Sequence, residues 1–80
     1  MATRNEHVSP KKWTVIAVNE PCLVTAHGDL EYIWSVGAPP AEDVCGHPLP
    51  IGNALVNNKT DETLCVRHQL SKILTIIVDT

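Results

Sequence analysis

The residues best suited to chemistry in this chain are its thiols and imidazoles. Cys22 and His27 are five apart, Cys45 and His47 flank Gly46, and Cys65 and His68 are three apart. Thiolate and imidazole are the preferred ligands of zinc, and four of them on turns would clamp a tetrahedral ion. The spacings form no Cys-x2-Cys knuckle, however, and Cys22 and Cys65 fall in or beside strand-like runs, where a free cysteine acts as a small buried hydrophobe. A Cys/His metal-binding domain is therefore kept as an alternative only; no cofactor is expected and no residue is assigned to a metal. A Cys–His nucleophile, with Cys45 the best candidate, would also need an oriented base and an oxyanion site. Neither has a signature. The carboxylates are scattered: Asp29 and Glu31 in one strand, Glu42-Asp43 and Asp61-Glu62 in or near turns. The expectation is no enzyme and no catalytic residue.

Charge and composition narrow the partners. Six basic and nine acidic residues give a formal net charge of -3. That is not the profile of a nucleic-acid wrapper or of a polybasic membrane binder. No apolar run approaches the roughly 20 residues of a membrane-spanning helix. The basic pair Lys11-Lys12 beside Trp13 reads as a solvated edge or, alternatively, as a local contact to an acidic partner surface. The three cysteines are odd in number, so they cannot all pair within the chain. Met1 to Pro10 is polar and lacks the apolar core of a signal peptide, which suggests synthesis in a reducing cytoplasm with free thiols.

The elements that must position these groups are strands. Nine Val, six Ile and seven Thr favour extended structure, and there is no Phe. Trp13 to Val18 is a first strand, stopped by Asn19-Glu20-Pro21, and Cys22 to Thr25 a second. Around His27-Gly28-Asp29 the chain turns. Leu30, Tyr32, Trp34 and Val36 then alternate with Asp29, Glu31, Ile33 and Ser35, the clearest period-two pattern in the sequence. Trp34 and Tyr32 accordingly face the core or a subunit contact, whereas Trp13, opening its strand, is expected to be half-exposed.

From Gly37 to Gly52 four prolines and three glycines break regular structure, leaving a long surface excursion with room for one short paired piece. A long excursion of this kind in a small domain usually has a purpose, and its prolines stiffen it for docking. Asn53 to Asn57 is a short strand. The stretch 62–72 reads either as a strand and turn, with Leu64 and Val66 inward, or as a short helix with Val66, Leu70 and Ile73 on one stripe. Leu74, Ile76 and Val78 form the inner face of a last strand. These signals predict an all-β fold, a small β-sandwich or jelly-roll-like barrel of about six short strands. The expected domain spans residues 11–80, with residues 1–10 as a flexible N-terminal arm.

This succession of segments resembles that of small bacteriophage virion proteins. It runs through Trp13 to Val18, Cys22 to Thr25, Glu31 to Pro40 with its Val-Gly-Ala-Pro-Pro stretch, Gly46-His47-Pro48-Leu49, Ala54 to Val56, Leu64 to Arg67 and Leu74 to Val78. The resemblance is one of strands and turns and carries over no functional residue; the cysteines are not part of it. It implies a compact β-sandwich that decorates or cements a capsid, or attaches to a tail, as a homo-oligomer with a trimer favoured. The implied partner is the major coat protein or another virion protein, with no nucleic acid and no membrane. The implied location is the virion, after synthesis in the host cytoplasm. A small adaptor or inhibitor of a host or tail protein is the alternative. The expected contact residues are Lys11, Lys12, Trp13, Pro39, Pro40, His47 and Pro48; as a cement protein the chain would reach adjacent coat subunits with residues 1–12 and the proline-rich loop, and as an adaptor it would bind through the loop face.

Overall fold

A computed structural model describes residues 2–68 and 74–80. Among them the fold is all-β, with eight strands and no helix. In chain order the strands are β1 (Thr3–Val8), β2 (Thr14–Val18), β3 (Cys22–Thr25), β4 (Leu30–Ser35), β5 (His47–Leu49), β6 (Ala54–Asn57), β7 (Thr63–Arg67) and β8 (Leu74–Asp79). They form two four-stranded sheets, ordered β1-β8-β3-β6 and β2-β7-β4-β5. Every ladder is antiparallel. The pairs β1·β8, β2·β7, β3·β6 and β4·β5 are nested, so first and last strands pair, then the next inward, down to the hairpin-like pair β4·β5.

Period-two alternation explains which side chains fill the core. Leu30 on β4, Val24 on β3, Leu64 and Val66 on β7, and Ile76 and Val78 on β8 belong to one buried cluster drawn from both sheets. Tyr32 and Trp34 pack against it, half-buried. The inward sides of β4, β7 and β8 are thus as the alternation predicts. Val36, placed on the same face by the pattern, lies beyond the end of β4 and is exposed.

Two strands exceed the expected six. One is β1, which corrects the expectation that residues 1–10 are a flexible arm. Thr3 to Val8 pairs in unbroken register with β8, from Thr3 opposite Asp79 to Val8 opposite Leu74. Ala2 and Thr80 close its end with two backbone hydrogen bonds of 2.8 Å. The strand hid behind its polarity. Its alternate residues are Arg4, Glu6 and Val8; Val8 is fully buried, while the two charges satisfy each other at 2.8 Å. Arg4 also reaches across to the other sheet, donating to the Ile16 carbonyl at 2.8 Å and to Glu20 at 3.0 Å. The other additional strand is β5, a short paired piece inside the proline-rich excursion.

The strand alternative for 62–72 holds over Thr63–Arg67; residues 69–73, with Leu70 and Ile73 of the helical stripe, lie outside the described residues. His68, fully buried, follows β7. Its Nε2 lies 2.9 Å from the Val8 carbonyl, and a carbonyl can only accept, so the proton sits on Nε2.

Candidate interaction site: a clasped proline-rich loop

Strand β7 is buried along its whole length, on both faces. Leu64 and Val66 enter the core. Thr63, Cys65 and Arg67, pointing the other way, are covered as well. The covering at the Arg67 end is the loop between β4 and β5. Arg67 Nη1 donates to the Glu42 carbonyl at 2.5 Å and Nη2 to the Val44 carbonyl at 3.0 Å. Nε donates to Glu31 Oε2 at 2.9 Å, across the β4·β7 pair in which Glu31 and Arg67 are opposite. The guanidinium carbon lies 4.2 Å from the centre of the Trp13 ring. One side chain, 5 % exposed, therefore joins β4, β7, the start of β2 and the loop.

The planar guanidinium suits this role because its donors diverge in a fixed fork and its face stacks on an aromatic ring. A lysine ammonium would not reproduce both at once. Gly46 completes the clasp. A Cβ there would come within 2.6 Å of the Trp13 ring and 2.9 Å of the Tyr32 carbonyl, so the loop crosses this point only as glycine.

The sequence-predicted contact residues fall around this clasp unevenly. Trp13 is nine-tenths buried between Arg67 and Gly46, which corrects the expectation that it is half-exposed. Lys11 and Lys12 precede it on an exposed turn. Lys11 adopts a φ of 59° and donates its N–H to the His68 carbonyl at 2.8 Å. Pro39 is exposed and Pro40 half-buried. His47 and Pro48 are exposed on the edge strand β5, and the His47 ring lies 5.3 Å from that of Tyr32. Sequence reasoning missed Arg67, Glu31 and Gly46. The available signal was Glu31, a charge on the non-core face of the best-patterned strand, which needs a partner if that face is covered.

A second polar junction lies near the start of β3 and the end of β6. Asn57, fully buried, donates to the Glu20 carbonyl at 2.9 Å and accepts from Trp34 Nε1 at 2.9 Å and from the Lys59 N–H at 3.2 Å. Lys59 Nζ stands 5.7 Å from the centre of the Trp34 ring. Trp34 is thus held by structure on its polar edge and partly capped.

The cysteines do not pair. Cys22 and Cys65 are buried and Cys45 is exposed in the loop. Burial pushes both buried thiols above the ordinary cysteine range; Asn57 pulls Cys22, and Ser35 pulls Cys65, part of the way back. Among the described residues no group of three or more His, Cys, Asp or Glu gathers where it would hold a metal ion. No protein family, no curated protein and no solved structure matches the chain.

Proposed function

We propose that the two sheets pack face to face as a small jelly-roll sandwich and that the chain is a structural, non-catalytic virion protein, made in the host cytoplasm, that binds and stabilises an assembled coat lattice. The nested strand order and the single core drawn from both sheets support the sandwich; eight strands in two sheets is the jelly-roll plan, shared by viral capsid domains, lectins and cupins. A fold of this kind hosts many functions, so the functional reading rests on the site.

The observation that carries it is the clasped loop. The segment from Gly37 to Gly46 presents Pro39, Ala41, Glu42, Asp43 and Val44 to solvent while Arg67 and Trp13 hold its backbone from beneath. A surface loop fixed in advance loses little entropy on docking. Repeated over a lattice, a modest contact of this sort stabilises the assembly by mass action and avidity. The loop, with His47 and Pro48 beside it, takes the docking role; β1, built into its sheet, does not.

The test adds the full chain to purified particles that lack it. Co-sedimentation at a fixed ratio to the coat subunit, with a higher disruption temperature, supports the reading. Protein that stays in the supernatant and leaves particle stability unchanged overturns it. Selective binding to one soluble host or tail protein would favour the adaptor alternative.

A further inference from the structure

Among the described residues each sheet has two edge strands, and three of these four edges carry a feature that discourages pairing with another strand. On β1 the charges of Arg4 and Glu6 point inward. On β2 the register shifts between Val15 and Ala17. On β5 the middle of three residues is Pro48. Strand β6, Ala54-Leu55-Val56-Asn57, contains no proline and no charge, and its register with β3 is regular. Ala54 and Val56 are exposed, and Val56, 62 % exposed, stands opposite Leu23, which is also exposed.

The backbone direction at this edge can be read from its end. The Asn53 carbonyl accepts the Ala26 N–H at 3.0 Å, so it points toward β3. Backbone groups alternate along an antiparallel strand. Leu55 and Asn57 therefore also turn toward β3, and the N–H and C=O of Ala54 and Val56 turn outward.

We propose that β6 is a homodimer edge: two copies of the chain join antiparallel about a two-fold axis at Val56, making one continuous eight-stranded sheet. The register follows from two requirements. Side chains on the core side must lie opposite core-side residues, and the outward-pointing backbone groups must meet each other. Centring on Val56 meets both. Val56 exchanges two hydrogen bonds with Val56 of the second copy, Ala54 lies opposite Asn58, and Leu55 lies opposite Asn57.

A second copy is the fitting occupant because the edge is self-complementary. The outer row becomes Leu23–Val56–Val56–Leu23, four apolar side chains in sequence across the axis. Such cross-strand neighbours are the units that stabilise a sheet. An isologous contact also brings opposite ends of the strand together. Here Asn58 of each copy meets Ala54 of the other, and no charged residue stands anywhere along the paired stretch. A ladder of five residues a side, Ala54 to Asn58, falls short of the roughly 800 Å² per partner of stable complexes. The dimer is accordingly weak, and forms where local concentration is high. The pairing is read on the free chain, so it stands or falls independently of lattice binding, and it favours two-fold over three-fold association.

Sedimentation equilibrium of the full chain, from micromolar to millimolar concentration, tests it. The mass rises from 8.7 kDa toward twice that value. Val56→Lys puts two like charges face to face on the axis and weakens the dimer by more than about tenfold. Val15→Lys, on the edge of the other sheet, leaves the dimer intact. Both positions are exposed, and circular dichroism checks that both variants fold. A chain that stays monomeric at millimolar concentration overturns the proposal. So does a folded Val56→Lys variant that associates as before, or a trimer indifferent to that substitution.

Discussion

Arg67 and Trp13, far apart in sequence, meet with the guanidinium carbon 4.2 Å from the ring centre, and the loop between β4 and β5 is bonded to the same guanidinium. The pair is the floor on which the loop rests. Removing the Arg67 side chain leaves the Glu31 carboxylate and two loop carbonyls without this donor. Breaking a fully buried pair from one side costs about 3–5 kcal/mol, and the part-exposed Glu31 puts this loss toward the lower end. Arg67→Ala should therefore lower the denaturation midpoint sharply, and Arg67→Lys should recover only part of the loss. Limited proteolysis between residues 37 and 46 should quicken in both. Cleavage at the wild-type rate in folded Arg67→Lys would show that the loop is held by something else.

Gly46→Ala tests the same clasp without touching a charge. The added methyl meets the Trp13 ring and the Tyr32 backbone, and backbone cannot step aside as a flexible side chain can. Overpacking of this sort costs about 1–3 kcal/mol. Trp13 should shift its fluorescence toward that of a more solvated indole. Nothing crowds a Cβ at Gly52, whose φ is +86°, so Gly52→Ala should pay only the left-handed backbone cost of about 1–2 kcal/mol and leave tryptophan emission unchanged.

Asn57 ties three segments at once, so Asn57→Ala should be costlier than an ordinary lost hydrogen bond. It orphans the Trp34 indole N–H, the Glu20 carbonyl and the Lys59 N–H. A buried group left unsatisfied costs about 1–3 kcal/mol. Because Trp34 and the Lys59 amide can reach water, the sum should come to about 2–4 kcal/mol rather than three full penalties. Chemical denaturation with tryptophan emission as the probe measures it.

Much of the core was legible because alternation is a direct record of burial. Leu30, Tyr32 and Trp34, and Leu74, Ile76 and Val78, turn inward as their spacing requires. Hydrophobicity was silent about β1, whose inward residues are two charges and one valine, since pairing with β8 and hydrogen bonds across the sheets replace apolar burial there. It was also silent about Arg67. In β7 the non-core face carries Thr63, Cys65 and Arg67, a set that looks solvent-facing although all three are buried, Arg67 beneath the loop. Trp13 was misplaced for the same reason: the pattern sets it at the opening of a strand but does not say that a loop will close over its ring. Contacts between residues distant in sequence decide these cases, and spacing within a strand does not encode them.

The thiols should divide by burial. Cys45 should react with a thiol reagent at the rate of an exposed cysteine, while Cys22 and Cys65 should react only through unfolding. Burial raises both buried thiols in the folded state, so the native protein holds their protons to higher pH than the unfolded chain does. Their contribution to stability is complete below the unfolded cysteine value and declines as pH rises above it. Stability should fall on the alkaline side, and Cys65→Ala should flatten that fall. Its slope unchanged in a double Cys22→Ala, Cys65→Ala variant would assign the alkaline loss to other groups.

Deleting residues 2–8 removes β1 rather than a tail. It strips β8 of one neighbour and opens the side of the core that Val8 fills, and the His68 ring loses its carbonyl acceptor. Deleting a buried Val and the six-residue ladder together should bring the chain close to its unfolding threshold, because a domain has only about 5–15 kcal/mol to lose. The bared β8 edge would then be a long apolar template for other chains. The truncated protein should therefore melt earlier and aggregate, and the milder Val8→Ala should lower stability by about 2–3 kcal/mol without aggregation. A deletion variant that stays soluble with an unchanged melting temperature would return residues 2–8 to the status of an arm.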